Sequence, residues 1–388
     1  MPASNHNEIS IYVHWPFCLA KCPYCDFNSH VRETINEDDM RDALLSEVEH
    51  YANLVGKRTV KSIFFGGGTP SLMSANTVET VIRHIDRTFG LSDDIEITLE
   101  ANPTSVEAAK FADFASVGVN RVSIGIQALN DSDLKALGRE HSVNEALGAI
   151  ELSQKYFSRS NFDLIYARMG QTTAEWEQEL SQAIKMANGH LSLYQLTIEQ
   201  GTPFYGSWRK GDLVIPEENV SAEMYDLTNQ ICSDQGYPAY EVSNYARKGE
   251  ESRHNLTYWR YGDYIGVGAG AHGRISYDGN TYATMQNKKP ETWLKNTQMN
   301  GHATKDHIQL SATEMAEEMI MMGLRLTDGI DLNTFENRIG KKISDFTGSD
   351  QVDLMITQGF LAPVFPDRLQ LTEKGRPLLN QILGQILV

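Results

Sequence analysis

Short apolar runs alternate with longer amphipathic stretches through the first half of the chain. The short runs have the length of buried strands and predict strands at residues 9–14, 60–65, 95–99, 121–124, 162–166 and 191–196. The stretches between them show helical spacing and predict helices at residues 37–54, 74–89, 106–116, 143–157 and 174–186. Strands separated by helices of this length form βαβ units, so the pattern predicts an α/β fold with a parallel sheet. Six units favour a curved, incomplete barrel over a closed barrel of eight.

The second half of the chain has a looser pattern. We expect a loop at 201–216, a helix at 217–235, a strand at 239–244 and a glycine-rich segment at 262–273. Further on come helices at 312–324, 332–339 and 350–357, two apolar runs at 360–364 and 368–371 around a Pro-Asp turn, and a last helix. Helices followed by a hairpin are typical of a winged-helix-like module, which would begin at about residue 303. The pattern divides the chain into a core of residues 1–240 and a C-terminal region of residues 241–388.

The net charge and the lack of long apolar runs limit the partners and the compartment that we expect for this chain. The chain of 388 residues carries 51 acidic and 34 basic residues, a net charge of −17, which argues against nucleic acid as a partner. The same holds for the winged-helix-like module, because it is acidic too. The sequence has no run of about 18 apolar residues and no signal-peptide apolar region. We therefore expect a cytoplasmic protein without stable membrane insertion.

Polar or glycine-rich residues follow nearly every predicted strand of the first half. They are the cysteine cluster at 18–25, Gly66 to Pro70, Glu100 to Pro103, Gly125 to Gln127, then Asp163, Tyr194 and Gln195. In parallel α/β folds the carboxyl ends of the strands meet at one edge, where sites are built. The sequence therefore predicts a single site at this rim.

Cys18, Cys22 and Cys25 have the spacing C-x3-C-x2-C. Thiolates suit iron–sulfur clusters, zinc and copper(I), and three in one loop can hold three corners of a 4Fe–4S cluster. The fourth iron would then be free to bind a small molecule. Structural zinc is the alternative, with His14 or His30 as a fourth ligand. Cys232 lies alone in a predicted helix, and we interpret it as a buried core residue.

With these motifs the chain resembles the radical S-adenosylmethionine (SAM) superfamily. The resemblance rests on the cysteine spacing after the first strand, with an aromatic residue before the third cysteine, and on the run Gly66-Gly67-Gly68-Thr69-Pro70 after the second. It implies a partial (β/α)6 barrel and a 4Fe–4S cluster whose open iron is chelated by SAM. It also implies that one electron from the cluster can split SAM into methionine and a 5′-deoxyadenosyl radical.

Over roughly residues 9–275 the chain resembles one family of this superfamily, the oxygen-independent coproporphyrinogen III oxidases. The similar stretches are 11–17, 162–166 and 266–273. The resemblance implies that residues 1–240 are the radical SAM core and that residues 241–388 are the C-terminal region of this family. It further implies cluster ligation by Cys18, Cys22 and Cys25, and SAM binding by Tyr12, Gly67, Gly68, Thr69, Glu100, Gln127, Arg139 and Asp163.

Three features make the chain similar to the heme-chaperone branch of that family. Phe27 stands where the dehydrogenases have a further cysteine, and the additional N-terminal segment of the dehydrogenases is not expected here. His254-Asn255-Leu256-Thr257-Tyr258-Trp259 matches the motif H-N-x-x-Y-W, which the branch associates with heme. The resemblance implies His254 as an axial heme ligand, with His14 and His272 as alternatives. From residue types alone, His254 could equally cap a turn while the aromatic residues fill the core.

These observations lead to one preferred hypothesis and two alternatives. We predict a heme chaperone that binds a 4Fe–4S cluster, SAM and heme, and that passes heme to an acceptor protein. Flavodoxin or ferredoxin would be a suitable reductant. The first alternative is a coproporphyrinogen III dehydrogenase, which decarboxylates propionates by radical chemistry; the second is a structural zinc protein. The residues do not decide whether SAM is cleaved, and so leave open whether the chain is an enzyme.

Overall fold

A computed structural model describes residues 7–32, 34–363 and 367–387. The strands are β1 (Glu8–Trp15), β2 (Phe17–Cys18), β3 (His30–Val31), β4 (Thr59–Gly67), β5 (Leu91–Ala101), β6 (Arg121–Gln127), β7 (Arg159–Tyr166), β8 (Gly189–Gln195), β9 (Asn244–Ala246), β10 (Tyr264–Val267), β11 (His272–Tyr277), β12 (Asn280–Gln286), β13 (Thr304–Gln309), β14 (Ile330–Asp331) and β15 (Arg368–Leu369).

The helices are α1 (Glu37–Val55), α2 (Ala75–Phe89), α3 (Ser105–Ala108), α4 (Phe111–Ser116), α5 (Asp131–Ala136), α6 (Val143–Tyr156), α7 (Thr173–Met186), α8 (Pro203–Lys210), α9 (Glu218–Asp234), α10 (Arg253–Trp259), α11 (Pro290–Asn300), α12 (Ala312–Gly323), α13 (Leu332–Ile339), α14 (Ser349–Thr357) and α15 (Leu379–Ile386). None of the helices in the described ranges is long and apolar enough to cross a membrane.

Eleven of the described strands form one sheet, in the order β13-β12-β11-β10-β1-β4-β5-β6-β7-β8-β9. The six strands predicted from the first half, β1 and β4 to β8, are parallel neighbours at its centre. β10 lies parallel to β1 on the other side, and β9 and β11 to β13 continue the sheet as antiparallel strands. The sheet has two free ends, so the predicted α/β fold with an incomplete barrel is confirmed.

Side chains of the parallel strands alternate between apolar and polar residues. In β1, Ile9, Ile11 and Val13 alternate with Ser10 and Tyr12. The same alternation recurs in β4 to β8, and many of the polar residues are nevertheless buried. Because successive side chains of a strand point to opposite faces, one face of the sheet is apolar and the other polar. The apolar face packs against the surrounding helices in the main core, and the polar face lines the barrel interior.

The C-terminal residues form a second, smaller core. Helices α12 to α15 pack around a cluster of buried apolar side chains that includes Ile320, Phe335, Leu361 and Ile386. The helical C-terminal region predicted from the sequence is therefore present. A buried ion-pair group links this core to the barrel, since Asp263, just before β10, contacts Arg338 of α13. The predicted domain division near residue 240 stays a prediction; the central sheet itself runs on to β13.

The structure contradicts several local predictions. The segment 201–216 is not a continuous loop, because Thr202 caps α8 with Pro203 at its first position, and Gly211 ends it in the left-handed conformation. The helix predicted at 106–116 is divided into α3 and α4. The predicted strand 239–244 is a turn that leads into β9, since the Glu241 side chain accepts hydrogen bonds from Ser243 N and Asn244 Nδ2.

Within the described residues, the two runs of the predicted hairpin pair over a short antiparallel stretch. Leu361 and Leu371 form a bridge, with backbone hydrogen bonds from Ala362 N to Gln370 O and from Thr372 N to Phe360 O. β15 pairs in addition with β14. The Pro-Asp turn predicted between the two runs is Pro366-Asp367, and Pro366 lies outside the described part of the chain. The short apolar runs could not show which strand would be their partner.

Candidate functional site

The carboxyl ends of the parallel strands surround an open cavity of about 180 Å³, here called the cysteine cavity. Its wall brings together residues from the cysteine loop and from four strand ends. Those singled out by the sequence are Cys18, Cys22, Cys25, Gly67, Gly68, Thr69, Glu100, Gln127, Arg139 and Asp163. Tyr12 lies elsewhere, in a second cavity described below. The rim therefore gathers all but one of the residues predicted to bind the cluster or SAM.

The three cysteines of the loop are free thiols, each partly buried. Thr69 donates a hydrogen bond from Oγ1 to Cys18 Sγ at 3.4 Å, and Arg139 donates from Nη1 to Cys22 Sγ at 3.4 Å. Cys25 Sγ lies 3.9 Å from the Ser29 hydroxyl. Sulfurs that accept hydrogen bonds are suited to act as thiolate ligands, because the donors offset their negative charge. Within the described ranges, no three His, Cys, Asp or Glu side chains are placed to hold a single metal ion.

Two glycines at the end of β4, Gly67 and Gly68, allow the chain to pass close to the cysteine loop. Gly67 has φ +113°, a conformation that favours glycine. A Cβ on Gly68 would lie 2.5 Å from the carbonyl oxygen of Phe17, the residue before the first cysteine. Because that neighbour is backbone, it cannot move aside without shifting the loop. The glycine run is therefore required for the contact between β4 and the loop.

Two carboxylates, Glu100 of β5 and Asp163 of β7, line the cysteine cavity without a cationic side chain bonded to them. Burial, and then the charge of Asp163, raise the pKa of Glu100 to about 8. Burial also raises the pKa of Asp163 to about 6. Glu100 accepts a hydrogen bond from Gly67 N at 3.1 Å. A ligand that carries positive charge would stabilise the ionised form of both groups.

Arg139 is held by a residue that the sequence analysis did not select. Its Nη2 donates to Asn102 Oδ1 at 2.8 Å and to Gly125 O at 2.9 Å. Asn102 also donates from Nδ2 to Thr69 Oγ1, so it connects the hydrogen-bond donors of two cysteines. The sequence signal was the position of Asn102 directly after the third strand. The Nε of Arg139 is buried and has no partner among the described residues, which leaves it available to an anionic ligand.

These features fit the two groups that a radical SAM protein holds. Three thiols with their own hydrogen-bond donors suit three corners of a 4Fe–4S cluster. The two uncompensated carboxylates suit the ammonium and sulfonium groups of SAM, and the free Nε of Arg139 suits its carboxylate. Gln127, which has φ +71°, reaches the same wall from the end of β6.

A second cavity of about 600 Å³, here called the histidine cavity, adjoins the first. Gly67, Glu100 and Phe27 belong to the walls of both cavities. The remaining wall contains three histidines, several aromatic residues and one lysine: Tyr12, His14, Asp26, Asn28, His254, Tyr258, Tyr264, Gly270, His272 and Lys288. Along the polar face of the sheet, the cysteine cavity is thus followed by the larger histidine cavity.

The three histidines of this cavity differ in the state of their ring nitrogens. In His14 both nitrogens are engaged, since Nδ1 lies 2.9 Å from the Tyr12 hydroxyl and Nε2 lies 2.9 Å from Asn28 O. In His254 only Nδ1 is engaged, by the Ser62 hydroxyl at 2.9 Å. His272 is exposed at the wall. His254 and His272 therefore keep a ring nitrogen for a ligand, and His14 does not.

His254 lies in the first turn of α10, which begins at the N-cap Ser252. Its backbone N donates to Glu96, and its ring stacks on Phe64 at 5.0 Å between centroids. Burial lowers the pKa of His254 to about 4, so its ring is neutral at physiological pH. Of the two aromatic residues in the same motif, Tyr258 lines the cavity. Trp259 instead stacks under the Arg325 guanidinium of the C-terminal region.

Cys232 is buried in α9 within the main core, far along the chain from the cysteine loop. Burial raises the pKa of its thiol to about 12. A buried thiol with that pKa is inert, which agrees with the interpretation of Cys232 as a core residue.

Comparison with known proteins shows two family matches. The Radical SAM superfamily matches residues 12–183, and the HemN C-terminal domain matches residues 310–378. Among solved structures, the coproporphyrinogen III oxidase HemN from Escherichia coli has a TM-score of 0.80 at 22% identity, and the match covers 97% of this chain and 89% of HemN. At that identity the similarity shows the fold.

Curated relatives are similar over nearly the whole chain. The heme chaperone HemW of Escherichia coli is 38% identical over 97% of this chain and 97% of its own length, and HemW of Haemophilus influenzae is 36% identical over the same shares. The zebrafish radical S-adenosyl methionine domain-containing protein 1, named mitochondrial, is 38% identical over 98% of this chain and 87% of its own length. The predicted cytoplasmic location of this chain stays a prediction.

Proposed function

Because the chain belongs to the family of the heme chaperone HemW within the radical SAM superfamily, we propose that it binds heme in the histidine cavity and passes it to an acceptor protein. Membership of the superfamily implies a 4Fe–4S cluster and SAM, and we assign both to the cysteine cavity. The observation that carries the proposal is the adjacency of the two cavities, which share Gly67, Glu100 and Phe27.

The wall of the histidine cavity has the composition that a porphyrin needs. Its volume of about 600 Å³ is within the usual range for sites that bury a sizeable ligand. Tyr12, Tyr258 and Tyr264 supply flat aromatic surface, and Lys288 supplies a cation for a propionate. The neutral ring of His254 supplies a nitrogen ligand for iron. Phe27 is 61% exposed at the wall, and we assign it to the route by which heme enters and leaves.

In the cysteine cavity, Cys18, Cys22 and Cys25 would hold the cluster. When bound, the cluster supplies one electron at a time and an open iron for SAM. Gly67, Gly68 and Thr69 keep the backbone close to the ligand, Glu100 and Asp163 face its positive groups, and Arg139 and Gln127 face its carboxylate and ribose. Tyr12 lines the histidine cavity, with its hydroxyl on His14, so we assign it to the heme site instead of the SAM site.

Anaerobic reconstitution with iron and sulfide, followed by hemin titration, tests this proposal. We expect one heme per chain, and we expect His254→Ala to lower heme affinity at least tenfold and to alter the Soret band. SAM binding to the same sample should change little, which controls for folding. His272→Ala tests the alternative ligand in the same cavity, and we expect it to lower heme affinity less than His254→Ala does. Unchanged heme affinity in His254→Ala would contradict the assignment of the ligand.

The two alternatives are tested on the same preparation. Heme-loaded protein should transfer heme to an apo-hemoprotein faster than free hemin binds it. Formation of protoporphyrinogen from coproporphyrinogen III, with SAM and a reductant, would instead identify a dehydrogenase. Stoichiometric zinc without iron–sulfur absorbance after anaerobic purification would identify a structural zinc protein.

A further inference from the structure

A chain of four buried hydrogen bonds begins at His254 and ends at a helix carbonyl. His254 Nδ1 lies 2.9 Å from Ser62 Oγ, and Ser62 Oγ lies 2.7 Å from Ser10 Oγ. Ser10 Oγ lies 3.0 Å from Thr257 Oγ1, which lies 3.0 Å from the carbonyl oxygen of Arg253. The four side chains are at most 3% exposed, so water does not compete for these bonds.

The direction of every bond in this chain follows from its last acceptor. A carbonyl oxygen can only accept, so Thr257 donates its single hydroxyl proton to Arg253 O. Thr257 Oγ1 must then accept from Ser10, and Ser10 must accept from Ser62. The proton of Ser62 is thereby used, and its oxygen can only accept from His254. Nδ1 of His254 therefore carries the ring proton.

We infer that Ser62 is a positioning residue that fixes His254 as the Nδ1–H tautomer and so presents an unprotonated Nε2 to the histidine cavity. The inference rests on the proposed function, because it makes His254 ready to bind heme iron without losing a proton. Metal-binding histidines usually donate their second ring nitrogen to such a partner, which sets the tautomer and the orientation of the ring. Nε2 of His254 makes no hydrogen bond with any residue that the structure describes.

The strand register places two of these hydroxyls side by side. Ser10 of β1 and Ser62 of β4 are direct neighbours across the sheet, and both point to its polar face. Each is fully buried, and the hydroxyls bond to each other, to His254 and to Thr257. Burial lowers the pKa of His254 to about 4, so the ring is neutral and carries the single proton that this order of hydrogen bonds assigns to Nδ1.

Nitrogen-15 NMR of histidine-labelled, heme-free protein tests the tautomer without reference to heme. Protonated and unprotonated ring nitrogens have well-separated shifts, and His254→Ala identifies the signals of His254. We expect a protonated Nδ1 and a free Nε2. The opposite pattern would overturn the inference, even if heme binds.

Hemin titration of Ser62→Ala tests the consequence for the ligand. Loss of a histidine's hydrogen-bond partner lowers metal affinity by roughly 10- to 100-fold, and we expect that loss here together with a mixture of tautomers in the NMR spectrum. Ser10→Ala should give a smaller loss, because Ser62 can still accept from Nδ1, although its own proton is then free to stabilise the other tautomer. Thr98→Val is the matched control: Thr98 is a buried hydroxyl on β5 outside the chain of bonds, and it should leave heme affinity unchanged.

The outcomes separate this inference from the proposed function. Heme affinity that is equal in Ser62→Ala and wild-type protein, but reduced in His254→Ala, would overturn the positioning role and leave the heme site intact. A wild-type protein that binds no heme would refute the proposed function, while the NMR experiment would still decide the tautomer. Thr257→Val removes the last hydroxyl of the hydrogen-bond chain, and it replaces Ser62→Ala if the Ser62→Ala protein does not fold.

Discussion

Arg139 donates a hydrogen bond to Cys22 Sγ at 3.4 Å, so a guanidinium stands directly against one thiol of the cysteine loop. A cation beside a cluster ligand stabilises the reduced cluster, which carries one more negative charge. We expect Arg139→Gln to lower the midpoint potential of the reconstituted cluster by on the order of 60 mV, a tenfold change in the one-electron equilibrium. Redox titration followed by electron paramagnetic resonance measures it. Arg41→Gln removes the same charge from α1, outside the site, and should leave the potential unchanged.

The raised pKa of Glu100 makes SAM affinity depend on pH. Below about 8 the carboxyl is protonated and cannot attract the positive groups of SAM, so affinity should rise about tenfold per pH unit up to that value and then level off. Equilibrium binding between pH 6 and 9 measures this. The amino group of SAM titrates in the same range, so Glu100→Gln is the control that isolates the contribution of the protein. The same slope in both proteins would show that Glu100 is not involved.

Gly68→Ala should displace the cysteine loop. The new Cβ would lie 2.5 Å from Phe17 O. Overpacking of this kind typically lowers the free energy of unfolding by roughly 1–3 kcal/mol. We expect a less stable protein that retains less iron after reconstitution. Gly148→Ala in α6 meets no atom within 4 Å and should stabilise the protein by up to about 1 kcal/mol. Chemical denaturation and iron analysis compare the two variants.

Asp263 joins the barrel to the C-terminal core through two arginines, the buried Arg58 and the partly buried Arg338. Asp263→Asn leaves both cations without a counter-charge, so we expect a loss of about 3 kcal/mol of unfolding free energy near pH 7. The arginines lower the pKa of Asp263, so its stabilising effect is present above its ordinary pKa and disappears as pH falls through the lowered value. The difference between variant and wild type should therefore shrink in acid. A difference that does not change between pH 7 and strongly acidic buffer would contradict this account.

The sequence predicted the central elements and most of the rim because both depend on local patterns. All six predicted strands are present, and the cysteine spacing and the glycine run lie where the strand-end rule puts them. Asn102 lies in the rim segment Glu100 to Pro103 but was not selected as a binding residue. Asn102 acts through Arg139, which belongs to another strand–helix unit. The hydrophobic periodicity of the sequence does not reveal that contact. β11 to β13 were missed because their polar sequences do not alternate clearly.

The amino-acid sequence by itself determined the open α/β barrel, the three-thiol loop and the family resemblance. Each of them depends on spacings between residues that are close together in the sequence. Only the tertiary structure decided which histidines of the histidine cavity keep a ring nitrogen free of hydrogen bonds. Ser62 and His254 are 192 positions apart in sequence, and Ser10 and Thr257 are 247 apart. They meet because β10 pairs with β1, and because α10, which precedes β10, packs against β4. Hydrogen-bond direction depends on which groups are neighbours in space, so folding must bring them together before the proton positions are fixed.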